Sequence, residues 1–253
     1  MLNQNTKKLK QYIEAATTTT VFTGAGISAE SGIPTYRGED GLWNRYDPAK
    51  FADIGYFFKD PAYYWNFFKD IRYPVISAAT PNAAHTTLAA LEKNGLVNCL
   101  ITQNIDGLHQ LSGSRKVVEL HGNTRRVKCL KCRSDYSMDE VFGMLELQLP
   151  PLCPDCRGTL KPDVVFFGEP MPTDALEQAL TASRECDLFL VIGSSLVVQP
   201  AASLPAIAKQ NGARLIIINK DPTPLDGVAD MVVHTLASTA LAGMAGSLNE
   251  TVL

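Results

Sequence analysis

Four of the chain's six cysteines fall into two equally spaced pairs, Cys129-x2-Cys132 and Cys153-x2-Cys156, with twenty residues between them. Two such knuckles bring four thiolates within reach of one tetrahedron, a geometry that the filled d shell of a zinc ion does not oppose. Four protein ligands leave no coordination position for water, so the expected metal is one structural zinc ion and not a catalytic one. Binding free energies of roughly 10–16 kcal/mol in small peptides are enough to fold a module too small to hold a core of its own. Cys99 and Cys186 adjoin apolar strand residues and read as small buried hydrophobes.

A second chemistry is carried by glycines. Gly24-Ala25-Gly26-Ile27-Ser28-Ala29 fits G-x-G-x-x-G/A and follows a run of strand-forming residues. The first glycine permits a turn, the second lets backbone N–H groups approach a pyrophosphate, and a helix N-terminus behind them favours the negative charge. The second strand ends in Thr102-Gln103-Asn104, without the acidic residue by which ordinary dehydrogenases grip a ribose. Asn219-Lys220-Asp221 is a candidate substitute, and Gly193-Ser194-Ser195 also closes a strand at the edge where open α/β sheets bind ligands. Gln103-Asn104-Ile105-Asp106 and Glu119-Leu120-His121-Gly122 cluster polar groups at two more strand ends. There His121 can serve as a general base near neutral pH. His85, His109 and His234 read as structural hydrogen-bonding histidines.

The elements that must position these groups follow from periodicity. Leu9, Tyr12, Ile13 and Ala16 recur at helical spacing. Strands are predicted over 18–23, 98–102, 116–120, 187–192, 214–218 and 231–234, with helices over 83–93, 174–183 and 201–210. This alternation predicts an α/β fold, a Rossmann-like parallel sheet with helices on both faces. Residues 38–76 are crowded with aromatics, and residues 125–160 hold the paired cysteines and several prolines. They read as a helical insertion acting as a cofactor lid and a zinc-binding module, together a smaller inserted domain. Residues 1–37, 77–124 and 161–253 then form the nucleotide-binding domain.

At 253 residues, 45% hydrophobic and 19% charged, the chain reads as an ordinary globular protein with a sizeable core. A net charge of −3 gives no global basic field, so direct nucleic-acid binding is not expected. Arg125, Arg126, Lys128, Lys131 and Arg133 around the knuckles read as a solvated face. The first ten residues lack the apolar stretch of a signal peptide, and no apolar run is long enough to span a bilayer. A reducing cytoplasmic compartment and no membrane partner are expected. Oligomeric state is not readable.

Further motifs complete the set: Ser31-Gly32-Ile33-Pro34, Tyr36-Arg37, Thr102 to His109, His121-Gly122, Pro162 to Glu169 and Gly193 to Ala201. With Gly24 to Ser28 and the cysteine pairs, they occur in the order found in sirtuins, and the chain resembles that family from about residue 15 to about residue 235. The resemblance implies an NAD-dependent protein-lysine deacetylase that consumes NAD as a co-substrate and takes an acetylated-lysine protein or peptide as partner. It implies that Asn104 and Asp106 hold the carboxamide and ribose in a reactive pose, that Gln103 contacts the ribose, and that His121 is the catalytic base. Gly24, Ala25, Gly26, Ala29, Tyr36, Arg37, Ile105, Gly193, Ser194, Ser195 and Asn219 correspond to further cofactor contacts. Val165 and Phe167 match the lining of an acyl-lysine tunnel, and Gly168, Glu169, Val197 and Val198 should flank the peptide backbone as an added strand.

The chain departs from the commonest family pattern at Pro34-Thr35-Tyr36-Arg37. A similar pattern recurs in a branch that includes desuccinylases, which carries Tyr-x-x-Arg in the aromatic insertion. Here the matching positions read Phe68 and Ile71, an apolar pair unable to bind a carboxylate, so acetyl or longer apolar acyl groups are expected and succinyl or malonyl disfavoured. Lys69 and Arg72 are the two cations that could still reach in. A mono-ADP-ribosyltransferase is the rival activity; it would need no tunnel, and the segment 164–169 argues against it. A zinc-ribbon binding module without activity would leave Gln103 to Asp106 and His121 unexplained.

Overall fold

The structure, a computed structural model, describes residues 4–39 and 41–244. Among the described residues nine strands are numbered in chain order: β1 Thr19–Thr23, β2 Cys99–Thr102, β3 Val117–Glu119, β4 Gly122–Cys129, β5 Asp135–Ser137, β6 Leu160–Val164, β7 Leu188–Ile192, β8 Arg214–Ile218 and β9 Met231–Val233. Six form a parallel sheet in the order β3-β2-β1-β7-β8-β9. The apolar runs of β7 and β8 are buried on both faces, as a sheet covered by helices requires. Leu188, Leu190, Ile192, Ile216 and Ile218 pack with Leu9, Ile13, Leu88, Leu91 and Leu241 of one helical layer. The alternate residues Phe189, Val191, Leu215 and Ile217 pack with Ala179, Leu204 and Ala208 of the other. Period-two alternation thus divides each strand between two cores. Phe189 is fully buried, and its truncation to alanine would cost about 3–5 kcal/mol.

Three strands were not foreseen from the sequence. β5-β4-β6 form a small antiparallel sheet that carries the cysteine knuckles. β4 is polar at Asn123, Thr124, Arg125, Arg126 and Lys128, so it shows no apolar run. The sheet begins at Gly122 and ends at Val164, extending past residues 125–160 at both ends.

The aromatic insertion folds as short helices, three of which begin at acidic caps. The side chains of Asp47, Asp53 and Asp60 each accept a backbone N–H of the first turn, two of them just ahead of a proline at the first helical position. Residues Phe68–Arg72 form a π-helical turn ahead of Pro74. Proline lacks an N–H and its ring displaces the carbonyl four residues earlier, here that of Asp70, which accounts for the widened turn. Phe57, Tyr64, Trp65 and Phe68 share one core with Val127, Met138, Val141, Leu160 and Phe166. The indole N–H of Trp65 donates to the Leu160 carbonyl at 2.9 Å. The zinc ribbon and the helical segment are therefore one small inserted domain.

Candidate active site

From β1 the chain proceeds to β2 and β3 on one side, and later to β7, β8 and β9 on the other. The order reverses between β1 and β7, the position where open α/β sheets leave a crevice at the carboxyl ends of the strands. Gly24 and Gly193 meet there: Gly24 N–H donates to the Ile192 carbonyl at 3.1 Å and Gly26 N–H to the Gly193 carbonyl at 2.8 Å. Gly193 has φ of 65°, and a Cβ on it would stand 2.3 Å from the Ile27 nitrogen. Only glycines permit this approach. The helix behind the glycine turn is a 3₁₀ helix over Ala25–Ser31, and Gly32 closes it at φ 84°.

A cavity of about 1060 Å³ opens from this crevice toward the inserted domain. Every site residue expected from the sequence lines it except Asp106 and the four cysteines. Asp106 stands behind the wall, where its carboxylate accepts the Ser28 hydroxyl at 2.8 Å and the Leu108 N–H at 2.9 Å. Asn104 donates its amide to the Gly24 carbonyl and to the Ser28 hydroxyl, each at 3.1 Å. Gln103 donates to the Ser194 hydroxyl at 2.9 Å. These bonds fix the polar groups at the strand ends relative to the glycine turn. Asn219 holds its loop by donating to the Asp221 carbonyl at 2.7 Å.

His121 Nδ1 lies 3.1 Å from the Gln103 carbonyl. A carbonyl only accepts, so Nδ1 carries the proton and Nε2 keeps a free lone pair. Desolvation pushes the imidazole below its ordinary pKa, against a smaller upward pull from the Gln103 carbonyl. The ring is neutral at physiological pH, the form a general base needs. His85 and His109 are buried in a network with Ser28 and Thr23, away from the cavity. Burial pushes them down to about 4 and about 3 respectively. His234 faces Asp226 at 3.3 Å.

The segment after β6 forms one wall. Val165 N–H donates to the His121 carbonyl at 3.0 Å, so this strap is tied directly to the histidine. Phe167 pairs in parallel with Asp53: its N–H donates to the Ala52 carbonyl at 2.6 Å and its carbonyl accepts the Ile54 N–H at 3.0 Å. Phe167 and Val197 are large apolar side chains left 45% and 48% exposed at the cavity, which is surface for an apolar stem to cover.

The sequence did not foresee Trp43, Phe51, Ala52, Tyr64 and Phe67 from the insertion, or Thr235 to Ala237 after β9, in the cavity wall. Neither group carries a motif. The expected pair Phe68 and Ile71 is corrected in part: Phe68 lines the cavity and Ile71 does not. The π turn holds more residues per turn than an α-helix and brings in Arg72 instead. Arg72 is 6% exposed, donates to the Tyr36 hydroxyl at 3.0 Å, and lies 5.2 Å from that ring's centroid.

The four cysteine sulfurs lie within 4.8 Å of one another, with Cys129 and Cys156 3.5 Å apart and Cys132 and Cys153 3.6 Å apart. Four sulfurs each 2.3 Å from a common centre would stand about 3.8 Å apart, so the set is positioned to bind a zinc ion. Arg133 and Arg157, each next after the second cysteine of a pair, adopt positive φ, which gives both knuckles the same reversal. Arg126 and Lys128 of the basic face pair with Asp163 at 3.0 and 3.1 Å.

The Sir2 family model matches residues 24–200. An NAD-dependent protein deacetylase of Sulfurisphaera tokodaii is 49% identical over 228 residues, covering 90% of this chain and 89% of that protein. One from Saccharolobus solfataricus is 45% identical over 248 residues, covering 98% of each. Among solved structures, a Sir2 complex with p53 peptide and NAD+ superposes with TM-score 0.90 at 40% identity, over 96% of this chain and 98% of that one. A Sir2 variant with deacetylated p53 peptide and 3′-O-acetyl ADP ribose gives TM-score 0.90 at 41% identity, over 93% and 95%.

Proposed function

The chain belongs to the Sir2 family, and on that premise we propose that it is an NAD-dependent protein-lysine deacetylase whose chemistry turns on His121. The single observation that carries this reading is the His121 imidazole, its Nδ1 held by the Gln103 carbonyl and its Nε2 free, between the glycine turn and the apolar strap. NAD is the co-substrate, its diphosphate against Gly24 to Gly26 and Gly193 to Ser195, and its nicotinamide ribose beside Gln103, Asn104 and His121. The acetyl-lysine stem enters past Val165 and Phe167, and its peptide backbone pairs along Gly168 and Val197.

The acetyl oxygen forms a bond to the ribose carbon as the bond to nicotinamide breaks, and nicotinamide leaves with the electron pair. His121 Nε2 then accepts a proton from a ribose hydroxyl, whose oxygen attacks the resulting imidate carbon. Water completes release of the lysine amine and the O-acetyl-ADP-ribose. Exclusion of bulk water protects the ribosyl centre, and the aromatic wall of the insertion supplies it. The zinc site holds the inserted domain and takes no part in bond making.

Arg72 supports a second reading of acyl preference. A buried guanidinium whose observed hydrogen-bond partner is the Tyr36 hydroxyl can pair with a carboxylate, so an acidic acyl chain has a place to go. We place the protein in the cytoplasm: all six cysteines are free of disulfides, and no helix among the described residues is long and apolar enough to cross a membrane. Product mass spectrometry tests the activity. An acetyl-lysine peptide with NAD should yield O-acetyl-ADP-ribose, whereas ADP-ribose attached to protein would identify the transferase instead.

A further inference from the structure

Lys161 is 6% exposed, a rare state for a lysine. Its ammonium lies 2.8 Å from the Glu169 carboxylate, donates to the Val164 carbonyl at 2.6 Å, and sits 4.2 Å from the centroid of the Phe166 ring. The same Glu169 oxygen accepts the Phe166 N–H at 2.9 Å, and Glu169 N–H donates back to the Phe166 carbonyl at 3.0 Å. One half-buried ion pair therefore ties β6, which leads into the strap, to the strap's end. Stability alone does not call for this, because an apolar side chain of similar volume often serves a buried site as well or better. What an ion pair with several directed hydrogen bonds supplies is a fixed shape.

The shape matters for what lies between. Phe167 spends its backbone N–H and carbonyl on Ala52 and Ile54. The neighbouring backbone groups belong to a turn over residues 166–169, closed by the Glu169 N–H on the Phe166 carbonyl. Those of Phe166 are taken by Glu169, which leaves Gly168, at φ 87°, to meet an incoming strand. We infer that Lys161 and Glu169 are positioning residues for the acylated peptide: their ion pair holds the strap in the form that a substrate backbone must match. They act through Val165, Phe167 and Gly168, not by contact with NAD. The inference rests on the deacetylase reading, since it presupposes a peptide in that place.

The test measures peptide affinity apart from turnover, using the full chain, a fluorescent acetyl-lysine peptide and no NAD. Lys161→Met and Glu169→Gln are each expected to raise the peptide Kd, and KM for the peptide, at least tenfold, with KM for NAD changed less than twofold. The double variant should bind no worse than Lys161→Met alone, because the two residues act as a unit. A general loss of structure would instead lower the active fraction and leave both KM values in place. Peptide Kd unchanged in the variants, KM for NAD rising in parallel, or additive losses would each overturn the inference. Should Lys161→Met fail to fold, Glu169→Gln alone decides the question on the same Kd. A parent chain that fails to bind the acetyl-peptide refutes the deacetylase reading; a parent that binds, beside variants that bind equally well, refutes this inference alone.

Discussion

Gly193→Ala should damage NAD binding far beyond its effect on stability. The residue sits at φ 65°, so a side chain there carries about 1–2 kcal/mol of backbone strain. The added Cβ would also stand 2.3 Å from the Ile27 nitrogen and 2.6 Å from the Gly26 carbonyl carbon, about 1 Å short of ordinary contact. Those neighbours are backbone and cannot rotate away, so the turns after β1 and β7 must separate. Overpacking of this kind costs roughly 1–3 kcal/mol more, and Tm should fall about 2–4 °C for each kcal/mol. The separation moves the N–H groups of the glycine turn by about 1 Å, a displacement that can cost about a hundredfold in rate. Gly212→Ala is the matched control: it has φ of 94° with nothing within 4 Å of the added Cβ, so it should show the strain and no loss of NAD affinity. Calorimetric NAD binding on both variants is the assay. Equal Kd values for Gly193→Ala and Gly212→Ala would refute the crevice as the diphosphate site.

Three further outcomes follow from the same geometry. Cys129→Ser should release zinc, measured by a colorimetric chelator, and unfold the inserted domain with it; full activity without bound metal would contradict the structural role. His85 and His109 stay neutral in the fold to about 4 and about 3, while the unfolded chain protonates both near 6.5. Their contribution is whole above the unfolded value and declines as pH falls from about 6.5 toward 4, by about 1.4 kcal/mol per histidine per pH unit. His109→Gln should halve that slope in urea titrations, and an unaltered slope would count against it. Arg72→Met should lower kcat/KM for a succinyl-peptide at least tenfold more than for an acetyl-peptide; a uniform fall on both substrates would show that the guanidinium meets no acyl carboxylate.

Much of the architecture was legible because buried parallel strands advertise themselves. The four consecutive aliphatics of β8 and the run Leu188 to Ile192 can lie only in a sheet covered on both faces. The cysteine spacing fixed a module of irregular chain whose three strands it did not reveal, since β4 exposes Arg125 and Arg126 and shows no periodicity. The cavity residues at strand ends were found because polar clusters interrupt apolar runs there. The place of Arg72 in the cavity wall is not legible in the sequence, because a π turn shifts which residues share a helix face and the spacing of types does not encode it. Asp106 illustrates the converse: the motif marks it, yet the fold turns its carboxylate onto Ser28 and the Leu108 N–H.

The base assigned to His121 is the point on which everything else depends. Substituting His121→Ala and following O-acetyl-ADP-ribose from an acetyl-lysine peptide and NAD measures it directly. Product formation should fall at least about a hundredfold, the lower range for removing a positioned base, with NAD affinity and Tm near those of the parent. Product formed at the parent's rate by a chain lacking the imidazole would contradict it.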